Sequence, residues 1–175
     1  MKTKLGFGLF LLIAALVTLT TGAYDGSALL RFQGGIGVDP ISNVTVTNGT
    51  TTASPNTVRG ISPPGQIWRI ADLTAKISDS GHISVTGRGL LLGGGNGIGT
   101  NGGQSVFATL FCGPAATASD SSSSLTGVPL DAEGNFTIND DLTPHPPSPC
   151  ATPVLLIRTT GGTHPWFAAG IPDAD

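Results

Sequence analysis

Leu73-Thr74-Ala75-Lys76-Ile77-Ser78-Asp79-Ser80-Gly81-His82-Ile83-Ser84-Val85-Thr86 is the stretch that decides the fold class. Leu73, Ala75 and Ile77 alternate with Thr74 and Lys76, and Ile83 and Val85 alternate with His82, Ser84 and Thr86. A period of two places every second side chain on one face of an extended chain, so both runs read as strands with one dry face and one wet face. Ser78-Asp79-Ser80-Gly81 between them is a turn whose glycine is free to take a positive φ. The spacing predicts a β-hairpin within Trp68 to Leu92.

Upstream, Ala28 to Gln33 reads as a first strand stopped by Gly34-Gly35, and Ile36 to Ile41 as a second short piece broken at Pro40 and Ser42. Asn43 to Ser54 is dominated by Thr and Asn and is either an edge strand or an ordered loop. Downstream, the tract Gly93 to Gly103 is too poor in side chains for a core element. It gives way to Ser105 through Cys112, a nearly continuous apolar run that suits a central strand covered on both faces. A polar loop with Ser119 to Ser124 follows, and then a predicted hairpin of Leu125 to Leu130 with Asn135 to Asn139 around Asp131-Ala132-Glu133-Gly134. Thr143 to Pro153 carries five prolines and should run extended. A last hairpin pairs Val154 to Arg158 with Trp166 to Ile171 across Gly161-Gly162.

No window shows a convincing 3.6-residue period, and turn signals recur about every 8–12 residues. The expected class is all-β: an antiparallel β-sandwich, immunoglobulin-like or jelly-roll-like, with a small β-barrel as the alternative. Composition agrees, with 26 glycines and 13 prolines among 175 residues, nearly twice average usage. Charged residues make up 11 %, which excludes a disordered polyelectrolyte and a long charged coiled coil.

The N-terminus reads Met1-Lys2-Thr3-Lys4, then an apolar run from Leu5 to Leu19, then Thr20-Thr21-Gly22-Ala23. A basic start, an apolar run too short for a typical membrane span, and small residues before a cut are the three parts of a secretory signal peptide. Cleavage is expected after Ala23, leaving residues 24–175 as a single domain with no membrane span. The net charge is −3, and it becomes more negative once Lys2 and Lys4 depart with the leader. Arg31, Arg59, Arg69, Lys76, Arg88 and Arg158 are scattered singly, so the concentrated positive footprint that nucleic acids and anionic membranes require is missing.

Cys112 and Cys150 are the only cysteines. In an oxidising compartment they read as one disulfide, worth roughly 4 kcal/mol on the chain-entropy model for a loop of about 38 residues. Neither stands in a context expected of a catalytic thiol.

No motif specifies a reaction. The glycine tract lacks the Lys and Ser/Thr of a phosphate-binding loop, and a strand rather than a helix follows it. Asp131, Glu133 and Asn135, followed by Asp140 and Asp141, resemble the carboxylate ladder of a calcium loop. Yet Gly134 sits at the fourth position rather than the sixth, and a hairpin turn explains the same residues, so Asp131, Glu133 and Asp140 are weak metal candidates. His82, His145 and His164 lack metal-ligand spacing, and no nucleophile elbow surrounds Ser105. Asn43, Asn48 and Asn135 head N-glycosylation triplets, which count only in a eukaryotic host. Trp68, Trp166, Phe32, Phe107, Phe111, Phe136 and Phe167 supply the expected aromatic core, and Tyr24 is the only tyrosine.

The blocks Phe107 to Gly113, Asp131 to Phe136, Pro149 to Arg158 and Trp166 to Gly170 together resemble a group of small secreted bacterial proteins without an assigned activity. The resemblance covers the C-terminal half best and implies the compartment, the fold and the Cys112–Cys150 bracket, but no catalytic residue. The expectation is therefore an exported, non-catalytic domain that needs no cofactor and acts by binding a protein or glycan or by structural association. The alternatives are a hydrolase with Asp, His and Arg gathered at end loops, a carbohydrate- or calcium-binding module, and an assembly protein pairing through the Asn43 to Ser54 edge.

Overall fold

The computed structural model describes residues 27–173; the expected signal peptide, residues 1–23, lies outside them. Thirteen strands and no helix are present among the described residues. None of these residues forms a helix long and apolar enough to cross a membrane.

One antiparallel sheet dominates. The hairpin read from the sequence is β5 (Asp72–Ser78) and β6 (His82–Arg88), with Ala75 opposite Val85 and Ile77 opposite Ile83. Its alternation holds as expected, with Leu73, Ala75, Ile77, Ile83 and Val85 buried. β1 (Ala28–Gly37) pairs with β5 on one side and with β13 (Trp166–Pro172) on the other. β13 pairs with β12 (Val154–Thr159), which pairs with β8 (Ser105–Cys112). At the other end β6 pairs with β11 (Phe136–Asp141).

Two short strands lie along the free edge of β8: β9 (Ser119–Ser122) against its C-terminal half and β10 (Val128–Pro129) against its start. Ser122 then bridges to Thr143, just beyond β11, through two backbone hydrogen bonds of 2.9 and 2.8 Å. The two ends of the sheet thus come together, and the sheet is barrel-like and nearly closed. Inside it, Phe32, Leu73, Ile77, Ile83, Val85, Val106, Ala108, Leu110, Leu155 and Ile157 form the core.

Three local expectations change. Gly34-Gly35 does not stop β1, because the backbone there bulges and the pairing with β13 resumes one register later at Gly35↔Gly170. A bulge absorbs an extra residue that a side chain would crowd. Residues 36 and 37 accordingly end β1 instead of opening a new strand. Leu125 to Leu130 and Asn135 to Asn139 do not pair with each other. Val128 pairs with Val106, whereas Ile138 pairs with Val85, so the Asp131–Gly134 turn hands the chain from one end of the sheet to the other. Finally, Asn43 to Ser54 is neither a single edge strand nor a loop but a separate hairpin, β2 (Ile41–Thr47) with β3 (Thr50–Pro55). Its tip is Asn48-Gly49 with φ of 50° and 77°, the two positive values that a two-residue hairpin turn of the twist-compatible type requires.

β4 (Trp68–Arg69) and β7 (Leu91–Leu92) pair as a small ribbon. The ring of Trp68 stacks on Phe167 at 4.0 Å. The glycine tract forms no core element. It folds back on β7, with Leu92 N–H donating to Thr100 O and Gly99 N–H to Leu92 O. Cys112 and Cys150 are joined, with Cα atoms 4.9 Å apart, which ties the end of β8 to the proline-rich segment.

Candidate functional site

A groove of about 560 Å³ runs along the line where the sheet closes. Ser122, Ser123 and Ser124 form one wall and Asp140, Asp141 and Thr143 the other. Phe107, Asp120, Leu125, Arg158 and His164 complete its lining. These residues meet because β9 and β11 are brought side by side by the closure, while β12 delivers Arg158 from across β8.

Arg158 is the only charged residue in β12, a strand otherwise buried or half-buried. The register places it opposite Phe107, on the face of β8 turned away from Val106, Ala108 and Leu110. Phe107 is fully buried there rather than in the main cluster. The guanidinium carbon lies 5.2 Å from the Phe107 ring centre, within cation–π range. Its Nε donates to His164 O at 2.9 Å, and Nη1 reaches Thr109 Oγ1 at 3.3 Å. Burial lowers its pKa and the nearby Asp120 charge partly offsets that. Among the described residues no carboxylate comes within ion-pair distance of it. A half-buried cation in this state is an oriented hydrogen-bond donor whose charge meets a ring face but, among the described residues, no carboxylate.

His164 packs edge-on against Phe107 with ring centres 5.5 Å apart. Its Nδ1 lies 3.1 Å from Thr159 O; a carbonyl only accepts, so Nδ1 carries the proton and Nε2 is the acceptor in the neutral ring. The backbone of His164 is left-handed, φ 57°, a conformation that non-glycine residues hold only when the surroundings over-determine it.

The acidic wall is partly committed. Asp140 accepts Ser124 N–H at 2.7 Å and Asp141 N–H at 2.8 Å, one on each oxygen. Asp141 pairs with His82 Nδ1 at 2.9 Å, and His82 Nε2 sits 3.0 Å from Asn139 Oδ1. The hydrogen bond to Asp141, then that to Asn139, raises the His82 pKa. The serine hydroxyls are also engaged: Ser122 Oγ with Thr109 Oγ1 at 2.9 Å, and Ser123 Oγ as acceptor of Ala108 N–H at 3.0 Å.

The metal candidates do not converge. Asp131 Oδ1 accepts the N–H groups of Glu133 and Asn135, and Oδ2 accepts from Asn135 Nδ2. Those bonds, the Asn135 N–H first, hold its carboxyl below its ordinary pKa. Asp131 shares a separate hollow with Arg88 and Thr137, whereas Asp140 faces the groove. No three His, Cys, Asp or Glu among the described residues are placed to hold a metal ion. Of the three glycosylation triplets, Asn43 and Asn48 are exposed on the β2–β3 hairpin, and the Asn135 amide is tied into its turn. His145 lies apart, its Nδ1 on Pro146 O.

Sequence reasoning treated Arg158 as one of six scattered bases and gave no role to Ser122, Ser123, Ser124 or Thr143. A lone charge inside an otherwise apolar strand was the signal available for Arg158. The serines carried none, since their placement depends on which strands pair. No family model, curated protein or solved structure matches the chain.

Proposed function

We propose that this protein is a secreted, non-catalytic binding domain, built on a small antiparallel barrel, that takes an uncharged, hydroxyl-rich ligand such as a saccharide in the groove. The carrying observation is Arg158: a half-buried, oriented donor without an ion-pair partner among the described residues, lining the same groove as Asp140 and Asp141. Donors and acceptors lining one groove suit hydroxyl groups, which both give and accept hydrogen bonds. Asp120, Asp140 and Asp141 outnumber the single arginine, which disfavours anions. Binding is favoured over catalysis because the Ser122 and Ser123 hydroxyls and both Asp140 oxygens are already engaged within the fold. Among the described residues no serine hydroxyl bonds a histidine ring, the arrangement an activated nucleophile needs.

Export is supported by the disulfide, which suits an oxidising compartment. It is tested by sequencing the N-terminus of the released protein, where a start at Tyr24 is expected. The binding reading is tested by thermal shift of the oxidised protein against neutral and acidic oligosaccharides. A ligand at a hundredfold excess over Kd stabilises by about 2.7 kcal/mol. Neutral sugars should raise the melting point of the parent and not of Arg158→Met. No shift with any sugar, or an unchanged shift in the variant, refutes the assignment. The gathering of Asp120, Asp140, Arg158 and His164 also fits a hydrolase. Turnover of a chromogenic glycoside or ester that is lost in Asp140→Asn would establish that reading instead.

A further inference from the structure

The β2–β3 hairpin is the least covered part of the fold. Every residue from Ile41 to Ala53 is exposed, on both faces; Val44 and Val46 show 57 % and 68 % of their surface to solvent. A solitary two-stranded ribbon is marginal in water, and a sheet of three or more strands is the usual stable unit. With a two-residue loop, Thr47↔Thr50, Thr45↔Thr52 and Asn43↔Ser54 carry the ladder hydrogen bonds. The N–H and C=O groups of Val44 and Val46 therefore point away from β3, and β2 pairs with no other strand among the described residues.

Natural edge strands are blunted with lysines, inward charges, prolines or bulges. Here no charged residue occurs from Pro40 to Val58, and the one bulge, between Ile41 and Asn43, lies at the base of the hairpin and leaves Val44-Thr45-Val46-Thr47 regular and without proline. The rest of the molecule is acidic, so this neutral ribbon is where two copies meet with the least charge repulsion.

We propose that two copies of this chain pair antiparallel through β2, with the two-fold axis at Thr45. The Val-Thr-Val sequence is symmetric about that residue. Val44 of each copy then stands opposite Val46 of the other, Thr45 opposite Thr45, and Asn43 opposite Thr47. The paired valines exchange four backbone hydrogen bonds, and two marginal ribbons become one four-stranded sheet. A second copy is favoured over a foreign strand because strand-addition partners are selected by pockets for alternate side chains. A ribbon exposed on both faces has no pocket, whereas a self-matching sequence needs none. The two-fold closes the contact, so the product is a dimer and not a fibre.

Sedimentation equilibrium of residues 24–175 across micromolar to millimolar protein tests this. A monomer–dimer equilibrium is expected, with slowed amide exchange at Val44 and Val46 as concentration rises. Val44→Lys with Val46→Lys brings lysine opposite lysine across the axis and should leave a monomer with an unchanged melting point for the barrel. Thr51→Lys with Ala53→Lys, on the outer edge of β3, should leave the dimer intact. A protein that stays monomeric throughout overturns the proposal. So does a dimer that survives the β2 lysines or is lost with the β3 lysines.

Discussion

Reducing the Cys112–Cys150 disulfide offers a sharp test of how this fold is held. The bond closes a sequence separation of 38 residues, and that span contains β9, β10 and β11, the strands through which the sheet closes. In the unfolded chain the cross-link removes loop-closure entropy worth roughly 4 kcal/mol for a loop of this length. In the folded state both cysteines are buried, and the link works beside hydrogen bonds that survive reduction, Gly113 N–H to Ala151 O and Thr152 Oγ1 to Gly113 O. The folded structure therefore loses little and the unfolded ensemble gains much. For a domain of this size a change of about 1 kcal/mol moves Tm by about 2–4 °C, so the expected fall is on the order of 8–16 °C, with β-type circular dichroism retained in the cold. The assay is a melt with and without reductant, each sample quantified for free thiols before heating. Equal melting points in a sample shown to carry free thiols would refute the reasoning.

Other perturbations probe packing and charge. Gly87 lies beneath the Phe136 ring, where an added Cβ would come within 2.2 Å of Cε1; Gly87→Ala should cost about 1–3 kcal/mol in a denaturant melt, and Gly87→Ala with Phe136→Leu should recover part of it. The raised His82 pKa stabilises the fold fully below the unfolded value of 6.5 and ceases to as pH rises through the folded value. Stability profiles around and above pH 6.5 should therefore lose a component in His82→Gln. Asp131 acts with the opposite sign: its lowered pKa stabilises above 3.8 and stops doing so as pH falls through the folded value. Asp131→Asn should thus flatten the acid limb of the same profile.

The legible parts of this fold are those written locally. Alternation over Leu73–Ile77 and Ile83–Val85 spells a half-buried hairpin, and the unbroken Val106–Phe111 run spells a strand covered on both sides. The Asn48-Gly49 turn was equally local, but its flanks lack large apolar residues, so the hairpin there was not distinguished from an edge strand or loop. The exchange of partners around Asp131–Gly134 was not legible. Val128 and Ile138 look alike in sequence whether they pair with each other or with Val106 and Val85, and the choice is made by distant strands. The groove inherits that blindness, because Ser122 and Thr143 meet only once the sheet has curled. A bulge bends its strand, and the one at Gly34-Gly35 in β1 is a place that a pattern of apolar spacing reads as a stop.

The closure between β9 and the end of β11 rests on very few links: the paired Ser122 and Thr143 backbone bonds and the Ser124 N–H to Asp140 carboxylate bond. Along the rest of the circuit from β9 round to β11 the ladders register four to six residue pairs, so opening of the sheet should begin at this line, as a zipper parts at its shortest row of teeth. The groove lies on the same line, with one wall on either side of it. Anything seated there would act as a clasp, and the protein's easiest opening motion and its affinity would become one measurable quantity.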